Sequence, residues 1–100
     1  MRLIAATLAV ALAATAGAAT AQERVSDSRY VELARCVGLA DGSGLEAAEL
    51  EAALRANRRG RSDHIRERAT NARHEAASAM RSASGETLAQ LTAERDACRA

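Results

Sequence analysis

The chain is 100 residues long, with 14 Lys plus Arg against 13 Asp plus Glu and a formal charge of +1 at pH 7. Tyr30 is its one aromatic residue, and it has no proline. That length leaves room for one small domain, and the lack of aromatic side chains for base stacking counts against nucleic acid as a partner.

The first element is a leader. Met1 and Arg2 form a short positive region, and Leu3 to Ala14 is apolar apart from Thr7. That run is too short for a comfortable bilayer span. Ala19-Thr20-Ala21 fits the A-x-A cleavage pattern, so residues 1–21 read as a secretory signal peptide and 22–100 as a single helical domain. A retained membrane anchor is the alternative. No cysteine stands directly after the apolar run, which counts against a lipid anchor. Arginine without lysine, together with abundant alanine, points to a GC-rich bacterial genome and so to the periplasm or the medium.

The remainder is helical in composition. Ala, Leu, Glu and Arg dominate, and all are strong helix formers. Glycine and serine punctuate at Asp41 to Gly44, Gly60 to Ser62 and Ser82 to Gly85. The expected fold is all-α: a small antiparallel up-down four-helix bundle with helices at about 26–40, 44–57, 63–83 and 85–99.

In the first helix Ser26 is the expected N-cap, with Val25 packing on Tyr30 as a hydrophobic staple. Tyr30, Leu33, Val37 and Ala40 share one face. In the second, Ser43 and Glu46 have the spacing of a capping box, and Ala47, Leu50 and Leu54 form the apolar stripe. The third is capped by Ser62 or Asp63, with a seam of Ile65, Ala69, Ala72, Ala76, Ala79 or Met80, and Ala83. The fourth is capped by Ser84 and presents Leu88, Leu91, Arg95 and Cys98. The Asp41-to-Leu50 stretch resembles the second half of a calcium loop. It fails in register and in carboxylate count, and the capping box accounts for the same residues.

Cys36 and Cys98 are the only cysteines. In an oxidising compartment they admit one intramolecular bridge. At about 1.5 Å of rise per residue, an up-down-up-down path brings them to similar heights. A continuous helix from Leu45 to Ser82 would not. With so few bulky side chains, burial at about 25 cal/mol per Å² stabilises little. Closing a loop of about 63 residues adds about 4 kcal/mol, so reduction is expected to destabilise the domain strongly.

Charge is segregated. Residues 22–54 carry seven acids and three arginines, residues 55–74 seven arginines and two acids, and the remainder four acids and three arginines. Two readings of the basic segment Arg55–Arg73 compete. In the first, Glu46, Glu49 and Glu51 of the second helix compensate arginines of the third such as Arg73 and Arg81, while the other charges suit the helix ends. In the second, Arg58, Arg59, Arg61 and Arg66 form an anion-binding site for lipid phosphate or a carboxylate-rich partner. The first reading leads, and a membrane surface is not favoured.

Catalysis finds no footing. The chain has no G-x-S-x-G, no glycine-rich phosphate loop and no HExxH. His64 and His74 lie about 15 Å apart along one helix, too far to share a metal. Neither a cofactor nor a metal is expected.

Leu91-Thr92-Ala93-Glu94-Arg95 resembles the LTxxQ signature of Spy-like periplasmic helical chaperones and metal-stress sensors, with Arg95 where the signature has Gln. The resemblance covers five residues and occurs once. It implies export, an all-helical fold and a chaperone or stress-response role. The leading expectation is a structural or protein-interaction module of the bacterial envelope, with an envelope protein or a second copy as partner. The Spy-like role is the alternative, and anion or membrane-surface binding the second alternative.

Overall fold

The computed structural model describes residues 24–98, so the expected leader lies outside the described residues. Within them the chain forms four helices and no strand: α1 Asp27–Ser43, α2 Ala48–Ala56, α3 Asp63–Ser82 and α4 Gly85–Ala97. No helix among the described residues is long and apolar enough to cross a membrane.

Local chemistry sets most of the boundaries. The Ser26 hydroxyl accepts from the Arg29 amide at 3.1 Å, and the Ser62 hydroxyl accepts from the Ile65 amide at 3.2 Å. Each satisfies an amide that a helix start otherwise leaves unpaired. Val25 packs against the buried cluster that contains Tyr30, Ala34 and Ala69. Ser84 holds the N-cap position of α4 without a side-chain hydrogen bond.

The connection between α1 and α2 departs from expectation. α1 does not stop near Ala40 but runs through Asp41 and Gly42 to Ser43, and turns at Gly44 with φ of 74°. That left-handed conformation favours glycine. The expected capping box therefore does not form. Ser43 is still helical, and its hydroxyl donates to the Leu39 carbonyl at 2.9 Å. α2 begins only at Ala48, behind Ala47, which has no side-chain cap.

The helices run up, down, up and down. α1 is the hub and packs on all three others, most closely along α3. Those two helices are parallel, with Ala34 by Ala69, Gly38 by Arg73 and Gly42 by Ala77. Each pair lies 35 positions apart in the chain, so the register is constant. A β-carbon on Gly38 would strike the Arg73 carbonyl, and one on Gly42 would lie 2.5 Å from the Ala77 oxygen. Gly42, read from sequence as part of a break, is thus a helix-interior glycine that lets two backbones meet.

Two small apolar clusters flank this seam. Tyr30, Ala34 and Ala69 form the lower one, with Val25, Val31, Leu54 and Ile65 against it. Leu39, Ala76 and Met80 form the upper one, with Leu91 and Cys98 against it. The α3 seam passes through Met80, and Ala79 is exposed. α2 and α4 contribute no fully buried residue. The expected bridge between Cys36 and Cys98 is present, with Cα atoms 6.0 Å apart, and it ties α4 to α1.

Candidate binding groove

The basic segment folds into two populations. Arg61 is 8% exposed. Its guanidinium donates to the Asp27 carboxylate at 2.7 Å, to the Val25 carbonyl at 2.6 Å and to the Asn57 carbonyl at 2.9 Å. It also lies 4.9 Å from the centre of the Tyr30 ring, a cation–π distance. Arg61 therefore belongs to the internal wiring of the domain, not to an anion site. Burial of a charge demands such pairing, and here it joins the start of α1 to the connection between α2 and α3. The side-chain oxygen of Asn57 accepts from the Val25 amide at 3.2 Å and closes the same corner.

Arg73 is also committed. It donates to Asp41 at 2.7 Å and sits 3.0 Å from Glu51, so α3 is bound to the end of α1 and to α2. The hydrogen bond to Asp41 raises the guanidinium above its ordinary range. The expected compensation between Glu51 and Arg73 is thus in place. Among the described residues Glu46, Glu49 and Arg81 have no ion-pair partner within 4 Å.

Arg55 and Arg58 are different. They are exposed at the end of α2, and no described carboxylate lies within ion-pair distance. With Arg66 of α3 they line an open groove of about 580 Å³ between α2 and α3. Tyr30, Ala34, Leu54 and Ala69 line its apolar part, and Thr70, Arg73 and His74 continue the α3 wall. Arg66 carries an i,i+3 pair with Asp63 on its own helix. Arg59 does not line the groove; its side chain is exposed, and its carbonyl accepts from Arg24 at 2.7 Å. Of the four arginines expected at an anion site, the structure brings Arg58 and Arg66 together and leaves Arg59 and Arg61 elsewhere. It adds Arg55, in the last turn of α2.

A smaller opening of about 320 Å³ lies beside the disulfide, lined by Cys36 and Cys98 and by Leu45, Glu46, Glu49 and Leu50. Leu45 is 48% exposed there. Among the described residues no group of three or more His, Cys, Asp or Glu is placed to hold a metal ion. His64 is exposed on α3, and His74 stands on the groove wall.

In the Leu91-to-Arg95 segment Leu91 packs on the upper cluster. Arg95 donates to the Ser43 hydroxyl at 2.9 Å. Compared with known proteins, the chain matches no family model, no curated protein and no solved structure.

Proposed function

We propose that this chain is an exported protein-interaction module of the bacterial envelope that works by binding rather than by chemistry. One observation carries the reading. Arg55 and Arg58 line an open, partly apolar groove, and no described carboxylate lies within ion-pair distance of either, since Asp41 and Glu51 of the same groove are bound to Arg73. A groove with a small apolar floor and charged rims is the anatomy of a recognition surface. The disulfide fits an oxidising compartment.

The Spy-like chaperone reading has less support. The large apolar side chains exposed among the described residues are Leu45 and Leu88, which lie on separate elements and form no concave apolar face. The membrane reading is weakened because Arg55, Arg58 and Arg66 line a concave surface that a flat bilayer does not follow.

The test is site-specific photo-crosslinking in the intact envelope. A crosslinker at Thr70, on the groove wall, is expected to give one defined protein adduct, whereas one at Glu86 on exposed α4 is not. Equal and diffuse labelling from both positions would overturn the proposal.

A further inference from the structure

The groove between α2 and α3 is ordered along its length. Up α3 it passes Arg66, then Ala69 about a turn later, then Arg73 about a turn beyond that. α2 runs the opposite way, so Glu51 stands at the Arg73 end, and Arg55 and Arg58 at the Arg66 end. The upper end is neutralised from within, because Arg73 holds both Asp41 and Glu51. The lower end is not. Arg55 and Arg58 have no described carboxylate within ion-pair distance, and Arg66 has only Asp63, whose side chain is 93% exposed and does not line the groove. Between the two ends lie Leu54, Ala34 and Ala69.

The lower end is also held in place. The Arg58 amide donates to the Arg55 carbonyl, and the Arg58 carbonyl accepts from the Arg61 amide, each at 3.3 Å. Arg61 in turn is buried and bound to Asp27 and Val25. The backbone that carries Arg58 is thus fixed before any ligand arrives, which lowers the ordering cost of binding.

We infer that the groove takes a short acidic and apolar stretch of a partner protein, with its carboxylate at the end formed by Arg55, Arg58 and Arg66 and an adjacent aliphatic side chain over Leu54 and Ala69. This rests on the reading of the groove as a recognition surface, and it names what is recognised. Charge complementarity sets the acid. Four arginines line the groove against two carboxylates, and both carboxylates are bound to Arg73. Guanidinium groups pair with carboxylates through two parallel hydrogen bonds, and an Arg66 that already meets Asp63 has donors left for a second acid. The apolar middle sets the neighbour, since a bare carboxylate or phosphate would leave it wetted. Asp41 and Glu51 at the far end repel a run of acids along the whole groove, so the charge of the ligand is confined to one end. Arg66 to Arg73 spans about 10 Å, which about three extended residues cover at about 3.3 Å each.

Selection from a random heptapeptide library displayed on phage tests this on the mature, oxidised chain. Recovered peptides are expected to carry Asp or Glu close to Leu, Ile or Val, in either order. For the strongest synthetic peptide, calorimetry is expected to show affinity falling about tenfold when Arg55→Gln and Arg58→Gln are combined, because charge-assisted hydrogen bonds are lost. Arg59→Gln, outside the groove, should bind as wild type does. Replacing the peptide's acid with its amide should give a similar loss, and added salt should weaken the contact. Circular dichroism shows whether the double variant keeps its helices. Should it fail to fold, Arg58→Gln alone is expected to give a smaller loss in the same direction. No enrichment, enrichment without an acid, or unchanged affinity in the folded double variant would overturn the inference. Phosphatidylglycerol vesicles that bind wild type and not the double variant, with no peptide enriched, would overturn it too and assign the arginines to a membrane surface. A defined Thr70 adduct in the envelope, together with selected peptides that carry no acid, would keep the interaction role and reject the acidic occupant alone.

Discussion

α3 and α4 are both fastened to α1, but by different physics. α3 is held by shape: glycine and alanine bring two backbones into contact at a constant register. α4 is held by discrete ties. It buries no residue completely, and relies on the disulfide, Leu91, and a two-point pairing of Arg35 with Glu94 at 2.5 and 2.9 Å. The contrast shows that a domain poor in bulky side chains can still own a packed spine, with the covalent link serving the helix that packing does not secure.

Reduction of Cys36–Cys98 should separate the two modes most clearly. The loss is expected to reach about 4 kcal/mol at most, and hydrogen exchange should show α4 losing protection while the α1–α3 seam retains much of its own. Uniform loss of protection in all four helices would mean that the bridge holds the spine as well. Gly38→Ala attacks the spine directly. Its new methyl meets the Arg73 carbonyl, a backbone atom that cannot swing away, and the expected cost is about 3 kcal/mol. For a domain near the low end of the ordinary stability range, thermal melting should show most of the structure lost, α4 included.

Arg61→Met is expected to cost about 2 kcal/mol in chemical denaturation, because three hydrogen bonds from one buried cation disappear. The same change at exposed Arg59 should be close to neutral, which would separate the wiring of the spine from the solvated part of the basic run.

Glu94→Gln should have the smallest effect, about 0.5 kcal/mol, since both side chains are more than one third exposed and solvent screens them. Its pH signature is directional. Hydrogen bonds from Arg35 hold the Glu94 carboxyl below its ordinary range. Its contribution is therefore complete above the unfolded value and is lost as pH falls through the depressed native one. An acid titration followed at α4 amides should show this loss in wild type and not in the variant.

Local signals in the sequence were legible where local chemistry decides. Ser26 and Ser62 cap the helices they precede, and Gly60 at φ of 83° marks the turn before α3. The cysteine pair was legible because two thiols admit one partner. Gly42 was not, because its place in the helix depends on the Ala77 carbonyl, from a segment far along the chain. Ser43 followed the same error: once the helix continued, its hydroxyl turned back to Leu39. The candidate groove was half legible. Composition gave Arg58, Arg59, Arg61 and Arg66 equal standing. What distinguishes Arg61 is Asp27 and Val25, more than 30 positions away. Arg55 became visible as a member only once α2 was placed beside α3.

The meeting of Gly38 with the Arg73 carbonyl has a thermal consequence. Heat capacity rises on unfolding in proportion to the hydrocarbon newly wetted, and falls with the polar backbone wetted alongside it. A seam made of peptide groups and methyls releases little of the first and more of the second. Its stability curve is therefore flatter than that of an oil-rich core of equal size: modest at its peak, but slow to fall away on cooling.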